Sequence, residues 1–114
     1  MAKVAAIPQV LQIIGKPYQV LIVPLLDEGL NVGEMSEHHQ AITMAAGQTF
    51  ENERDTLLHE ILHAIEERLQ LKMREKQVAL LATGLLQVLR ENPKLVAYLC
   101  GKRPKIAKVP NETT

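Results

Sequence analysis

The residue types and spacing best suited to chemistry in this 114-residue sequence lie in one short segment, His59-Glu60-Ile61-Leu62-His63. On a helix, residues four positions apart share one face with their Cβ atoms about 5–6 Å apart, so both imidazoles can bind one zinc ion. Glu60 lies about 100° around the helix from His59, outside the ligand set but within reach of a metal-bound water. The segment therefore predicts a hydrolytic zinc site.

A zinc site of this kind needs a third protein ligand, and no histidine follows His63 in the sequence. Patterns in which a third histidine completes the site are thereby excluded. Glu66 lies too close to His63 on the same helix to close a tetrahedron. Glu75 is favoured because it heads the apolar stripe of the next helix, although an ordinary charged residue of a first helical turn would also stand there. The full set of downstream candidates is Glu66, Glu67, Glu75, Glu91, Glu112 and Cys100.

Three helices are expected to position these residues. The first begins after Thr49, whose hydroxyl suits an N-cap, and runs to about Gln70. Its apolar stripe is Leu58, Ile61, Leu62, Ile65 and Leu69. The second runs from about Arg74 to Glu91 with the stripe Val78, Ala79, Ala82, Leu86 and Leu89. Asn92-Pro93 opens a short third helix that extends to Cys100, and Gly101 ends it.

The first half of the chain has the pattern of strands. Tyr18–Val23 is a β-rich apolar run between prolines, and residues 31–37 and 40–46 flank His38-His39 as a hairpin would. Both of these histidines are expected to be solvated turn residues. The predicted fold is α+β: a small, mainly antiparallel sheet packed on the two zinc-binding helices, followed by the short third helix. Residues 1–101 are predicted to form a single domain, and residues 102–114 a flexible basic tail.

Two motifs of this chain resemble those of a known family. TLLHEILH (Thr56–His63) and Glu75-x-x-Val78-x-x-Leu81-Ala82 are similar to the small gluzincins, or minigluzincins, and to short H-E-x-x-H proteins encoded by phages and prophages. The resemblance implies that His59, His63 and Glu75 bind zinc and that Glu60 is the general base of a metallopeptidase. It also implies a peptide or protein as substrate.

Composition argues against several other classes of function. Formal net charge is zero, and the chain has one Phe, two Tyr and no Trp, so a nucleic-acid partner is not expected. No apolar run is long enough to cross a bilayer, and the N-terminus lacks the pattern of a signal peptide. The single cysteine, Cys100, suggests a reducing compartment. A cytoplasmic location is therefore expected, while the oligomeric state is not predicted.

Several alternatives compete with the peptidase hypothesis. The protein could be a binding or assembly protein that is catalytically silent and keeps zinc for stability. More weakly, the tail (with Lys102, Arg103, Lys105 and Lys108) could assist nucleic-acid binding or dock onto the acidic body. The Glu60-x-x-His63 spacing also occurs in di-iron helical bundles, but the strands before Thr49 argue against that fold. For the oxyanion, Tyr18 and Tyr98 are the candidates, and the strand at residues 40–46 could pair with an extended substrate if it is a sheet edge.

Overall fold

Two β-hairpins lie side by side and form the four-stranded sheet of this protein. The structure, a computed structural model, describes residues 6–102. The strands are β1 (Val10–Ile13), β2 (Lys16–Val23), β3 (Gly33–Ser36) and β4 (Ala41–Ala45). The helices that follow are α1 (Phe50–Leu69), α2 (Glu75–Glu91) and α3 (Pro93–Cys100). The predicted α+β class and the bounds of the three helices are confirmed.

The order of strands across the sheet is β1-β2-β4-β3. β1 pairs antiparallel with β2, and β3 pairs antiparallel with β4. The two hairpins join through a parallel pairing of β2 with β4, in which Val20 lies opposite Ile42. The sheet is mainly antiparallel, as expected, with one parallel seam. The strand at residues 40–46 is not an edge, because β3 covers its outer side, and β3 is the edge strand instead.

β1 is a strand that the sequence pattern does not predict. Gln12 interrupts its apolar residues, and of its four residues only Ile13 is buried, because the strand lies at the sheet edge. The turn into β2 is formed by Ile14 and Gly15, whose φ angles are 45° and 81°. Two successive left-handed residues are what a tight two-residue hairpin turn requires.

One face of the sheet packs against α1 and forms the main core. In the first part of β2, Tyr18 and Val20 are buried between exposed neighbours, as expected for a sheet with one covered face. Leu69, predicted in the apolar stripe of α1, is exposed in the last turn of that helix, and Ala64 is buried in the core. The main core consists of Ile13, Tyr18, Val20, Ile42, Met44 and Ala64.

A second and much smaller core joins α2 to α1. Its buried residues are Leu62, Val78 and Ala82, with Met73 among the half-buried residues around them. Among the described elements, α3 contacts only α2. None of the helices in residues 6–102 combines the length and hydrophobicity needed to cross a bilayer. The predicted basic tail lies outside the described residues from position 103 onward.

Candidate metal centre

α1 carries three of the predicted site residues on its middle turns. The helix is firmly started, since the Thr49 hydroxyl accepts a hydrogen bond from the backbone N–H of Asn52 at 3.1 Å. His59 and His63 lie one turn apart and present their Nε2 atoms to one point, 3.2 Å from each other. The i, i+4 spacing therefore brings both imidazoles together, as the sequence predicts.

α2 brings Glu75 to the same point from the opposite side. Its Oε1 lies 2.5 Å from Nε2 of His59, and its Oε2 lies 3.1 Å from Nε2 of His63. These three residues form a group whose ligand atoms all lie within 4.8 Å of one another. Of the predicted third ligands within the described residues, Glu75 is the one that the fold places beside both histidines.

The arrangement of these three donors suits a zinc ion. Two imidazole nitrogens and one carboxylate oxygen are a ligand set found in catalytic zinc sites. In a tetrahedron with metal–ligand distances of about 2.0–2.1 Å, neighbouring ligand atoms lie about 3.3 Å apart. The separations of His63 Nε2 from His59 and from Glu75 are close to this value, while the third is shorter. The side chain of Glu75 is 69% exposed, so the donor group is reached directly from solvent.

Glu66 supports the centre without belonging to the donor group. Its Oε1 lies 3.2 Å from Nδ1 of His63, and its Oε2 accepts the backbone N–H of Met73 at 2.8 Å. One carboxylate thus fixes the ring orientation of a candidate ligand and ties down the loop that leads into α2. Carboxylates bonded to the second nitrogen of a metal-bound histidine are common. The sequence excludes Glu66 as a ligand but gives no sign of this role.

Glu60 is buried beside the donor group, with only 7% of its surface exposed. β3 approaches α1 closely here: a Cβ atom at Gly33 would lie 3.1 Å from Glu60 Oε2 and 2.5 Å from Cγ2 of Thr56. Any side chain at position 33 would therefore displace α1 or Glu60. No local sequence pattern marks Gly33 as a site residue, because its approach to Glu60 depends on how β3 packs against α1.

The protonation of these groups reflects their surroundings. Burial raises the pKa of the Glu60 carboxyl, and the neighbouring His59 and His63 only partly oppose that shift. Burial alone would lower the pKa of His63, but hydrogen bonds with Glu66 and Glu75 reverse the effect and raise it. For Glu75, burial would raise the pKa, yet the bonds with His63 and His59 lower it. Glu66 and Glu75 thus favour charge on the His63 imidazole in the absence of metal.

The donor group and Glu60 line one open cleft of about 830 Å³. β3 forms one wall through Gly33 and Met35, and Leu71 closes the end near α2. The lining includes neither tyrosine that was considered for the oxyanion. Tyr18 is fully buried in the main core, where its hydroxyl donates to Glu37, and Tyr98 lies exposed on α3.

The remaining candidates lie elsewhere. Glu67 lines the cleft but is not part of the donor group, and Glu91 lies at the far end of α2. Cys100, another candidate third ligand, is exposed at the end of α3 and is not part of the donor group. His38 and His39 are exposed turn residues, as predicted. Glu112 lies outside the described residues.

Comparisons with known proteins identify no relative of this chain. No protein-family model matches the chain, and neither a curated protein nor a solved structure does.

Proposed function

We propose that this chain is a zinc-dependent hydrolase, a metallopeptidase, with His59, His63 and Glu75 as metal ligands and Glu60 as general base. The observation that carries the proposal is the division of roles in the cleft. Three donors converge from two helices, while a fourth, buried carboxylate lies beside them outside the group. A zinc site kept only for stability has no need of that fourth residue.

The residues of the cleft suit the hydrolysis of an amide. When bound, zinc supplies a Lewis acid that polarises the scissile carbonyl and makes water more acidic. Glu60 takes a proton from the attacking water on a carboxylate oxygen and delivers it to the nitrogen of the leaving amine. Its raised pKa brings it nearer the range in which a base can also act as the acid.

β3 provides a surface for an extended peptide. It is an edge strand, and it lines the cleft beside Glu60. The unpaired backbone groups of an edge strand can bind a substrate strand in register. The compartment we propose is the cytoplasm, because the one cysteine of the chain is a free thiol.

A second function is supported by the small size of the core that joins α2 to α1. Within residues 6–102, only Leu62, Val78 and Ala82 are buried in that core. A metal held between the two helices would contribute much of the stability of that junction. In this alternative the protein is a catalytically silent binding or assembly protein whose zinc serves the fold.

Substitution of Glu60 separates the two functions. We expect Glu60→Gln to keep bound zinc and its melting temperature but to lose peptide hydrolysis by about 10²–10⁴-fold, the usual contribution of a general base. His63→Ala, by contrast, should lose both the bound metal and peptide hydrolysis. The measurements are elemental analysis, thermal melting and cleavage of a broad peptide library.

Glu67→Gln is the matched control, because Glu67 lines the same cleft on the same helix but lies outside the donor group. It should retain both zinc and activity. If the wild-type protein binds zinc but cleaves nothing, and Glu60→Gln behaves identically, the stabilising role replaces the peptidase proposal. If His63→Ala retains metal as well as the wild type, the metal lies elsewhere and both functions fail.

A further inference from the structure

α2 has a second apolar face that points away from α1. We call Leu80, Leu81, Gly84, Leu85 and Val88 the outer face of α2. At about 100° per residue these positions span about 140° of the helix surface. All five are exposed, and Leu80 is 65% exposed. Together with the buried side, this makes α2 apolar around most of its circumference, a pattern of helices covered on both sides.

No described element covers the outer face. Within residues 6–102, α2 contacts only α1 and α3. α3 itself exposes the large apolar residues Leu95, Tyr98 and Leu99. Contiguous apolar surface of this kind marks an interaction site.

Gly84 lies in the centre of the outer face, and no contact within residues 6–102 accounts for it. A glycine inside a helix destabilises it relative to alanine. A Cβ atom built at Gly84 would meet nothing within 4 Å. The small residue therefore makes room for no neighbour inside the described fold. It suits a helix that approaches from outside the chain.

We propose that the outer face of α2 binds the same face of a second copy of this chain, as an antiparallel helix pair crossing near Gly84. The charges at its ends favour this occupant. Lys76 and Glu91 are about 60° apart around the helix, on the edge of the face where Leu80 lies. A two-fold axis near Gly84 brings Lys76 of each copy to Glu91 of the other, since an isologous interface pairs a patch with itself.

Other features of the chain agree with self-association. Lys76 and Glu91 are both exposed, and neither forms an ion pair within the described residues. The same axis places Leu81 of one copy against Leu85 and Val88 of the other. Formal net charge is zero, so two copies do not repel each other. This inference is independent of the proposed hydrolysis.

Sedimentation equilibrium of the full chain across the micromolar range tests the proposal. We expect a monomer–dimer equilibrium for the wild type. Leu81→Lys should weaken it by about tenfold or more, because it places an unpaired charge in the interface. Leu30→Lys is the control, because Leu30 is 79% exposed and lies in the loop before β3, not on α2. Gly84→Gln should weaken association while raising the melting temperature of the dilute monomer.

Charge exchange tests the antiparallel geometry. Lys76→Glu and Glu91→Lys should each weaken the dimer, and the double variant should restore it, because each new residue then meets its opposite charge. Circular dichroism confirms that the variants remain folded. A wild type that stays monomeric overturns the proposal, as does a dimer indifferent to Leu81→Lys. Binding of a monomeric wild type to phosphatidylserine vesicles would assign the face to lipid instead.

Discussion

The two sides of the candidate metal centre are held in place very differently. α1, which carries His59 and His63, packs on the main core of the sheet, where six residues are buried. α2, which carries Glu75, is attached through only three. The two histidines therefore lie on a helix anchored in the larger core, whereas the glutamate lies on a helix with a smaller apolar junction, which polar contacts of Thr83 and Arg90 extend.

This difference indicates what a bound metal would add. Fixed donors bind without further ordering, so the histidine pair is preorganised. Glu75 can bind a metal only if α2 is held in position against α1. The hydrogen bond between Glu66 and the backbone N–H of Met73 restrains the loop before α2 and so helps to hold it. A zinc ion bound by all three residues would therefore add a link between α2 and α1.

Truncating one buried residue in each core tests the difference between the two cores. Ile42→Ala should cost about 2–5 kcal/mol of the free energy of unfolding, equally with and without zinc. Val78→Ala removes less volume and should cost about 2 kcal/mol. It should also weaken zinc affinity, because it loosens the helix that carries Glu75. Chemical unfolding with and without a chelator, together with zinc titration, measures both effects. Equal zinc affinity in the two variants would contradict the comparison.

Glu66 contacts both His63 on α1 and the loop before α2, so its removal tests how much that link contributes to metal binding. Glu66→Ala frees both Nδ1 of His63 and the backbone N–H of Met73. We expect zinc affinity to fall by about 10–100-fold, the usual cost of losing such a supporting group. Glu67→Ala, at the neighbouring position, should change the affinity little. If competition titrations give the two variants the same affinity, Glu66 does not position the ligand.

The smallest effect is expected on the sheet side, at Tyr18. Burial, followed by the hydrogen bond to Glu37, raises the pKa of its hydroxyl to about 12. The folded protein keeps this proton where the unfolded chain, with an ordinary pKa near 10, loses it. Its contribution to stability is therefore complete below pH 10 and is lost as the pH rises toward 12.

Tyr18→Phe should remove that part of the pH dependence, and Tyr98→Phe, on exposed α3, should not. Urea unfolding at pH 8 and at pH 11 measures the difference. If the wild type and Tyr18→Phe lose the same free energy of unfolding between pH 8 and pH 11, Tyr18 does not contribute to the pH dependence.

The sequence predicts the helical part of this molecule well because the relevant signals are local. Thr49 as a cap, the spacing of His59 and His63, and the proline that opens α3 each act within a few residues. Glu75 followed from the phase of its helix. The proximity of Glu75 to both histidines depends on how α2 packs on α1, which no local pattern fixes.

The sheet and the surroundings of the site were less accessible from sequence. β1 has little alternation, because an edge strand buries few residues. The parallel pairing of β2 with β4 depends on contacts between distant segments. Gly33 and Glu66 have partners that no local pattern indicates: a helix packed on a strand, and the backbone N–H of Met73 in a loop.

The parallel seam also sets the order in which the chain can fold. Each hairpin closes over a short turn, whereas the pairing of Gln19 with Ala41 closes a much longer stretch of chain and is therefore slower. The metal donors lie within the single helical hairpin α1–α2, so the ion can join them before the seam closes. The pocket of Glu60 against Gly33 needs the finished sheet. If this chain binds the proposed metal, its capture and the completion of the catalytic arrangement would thus be separate events in folding.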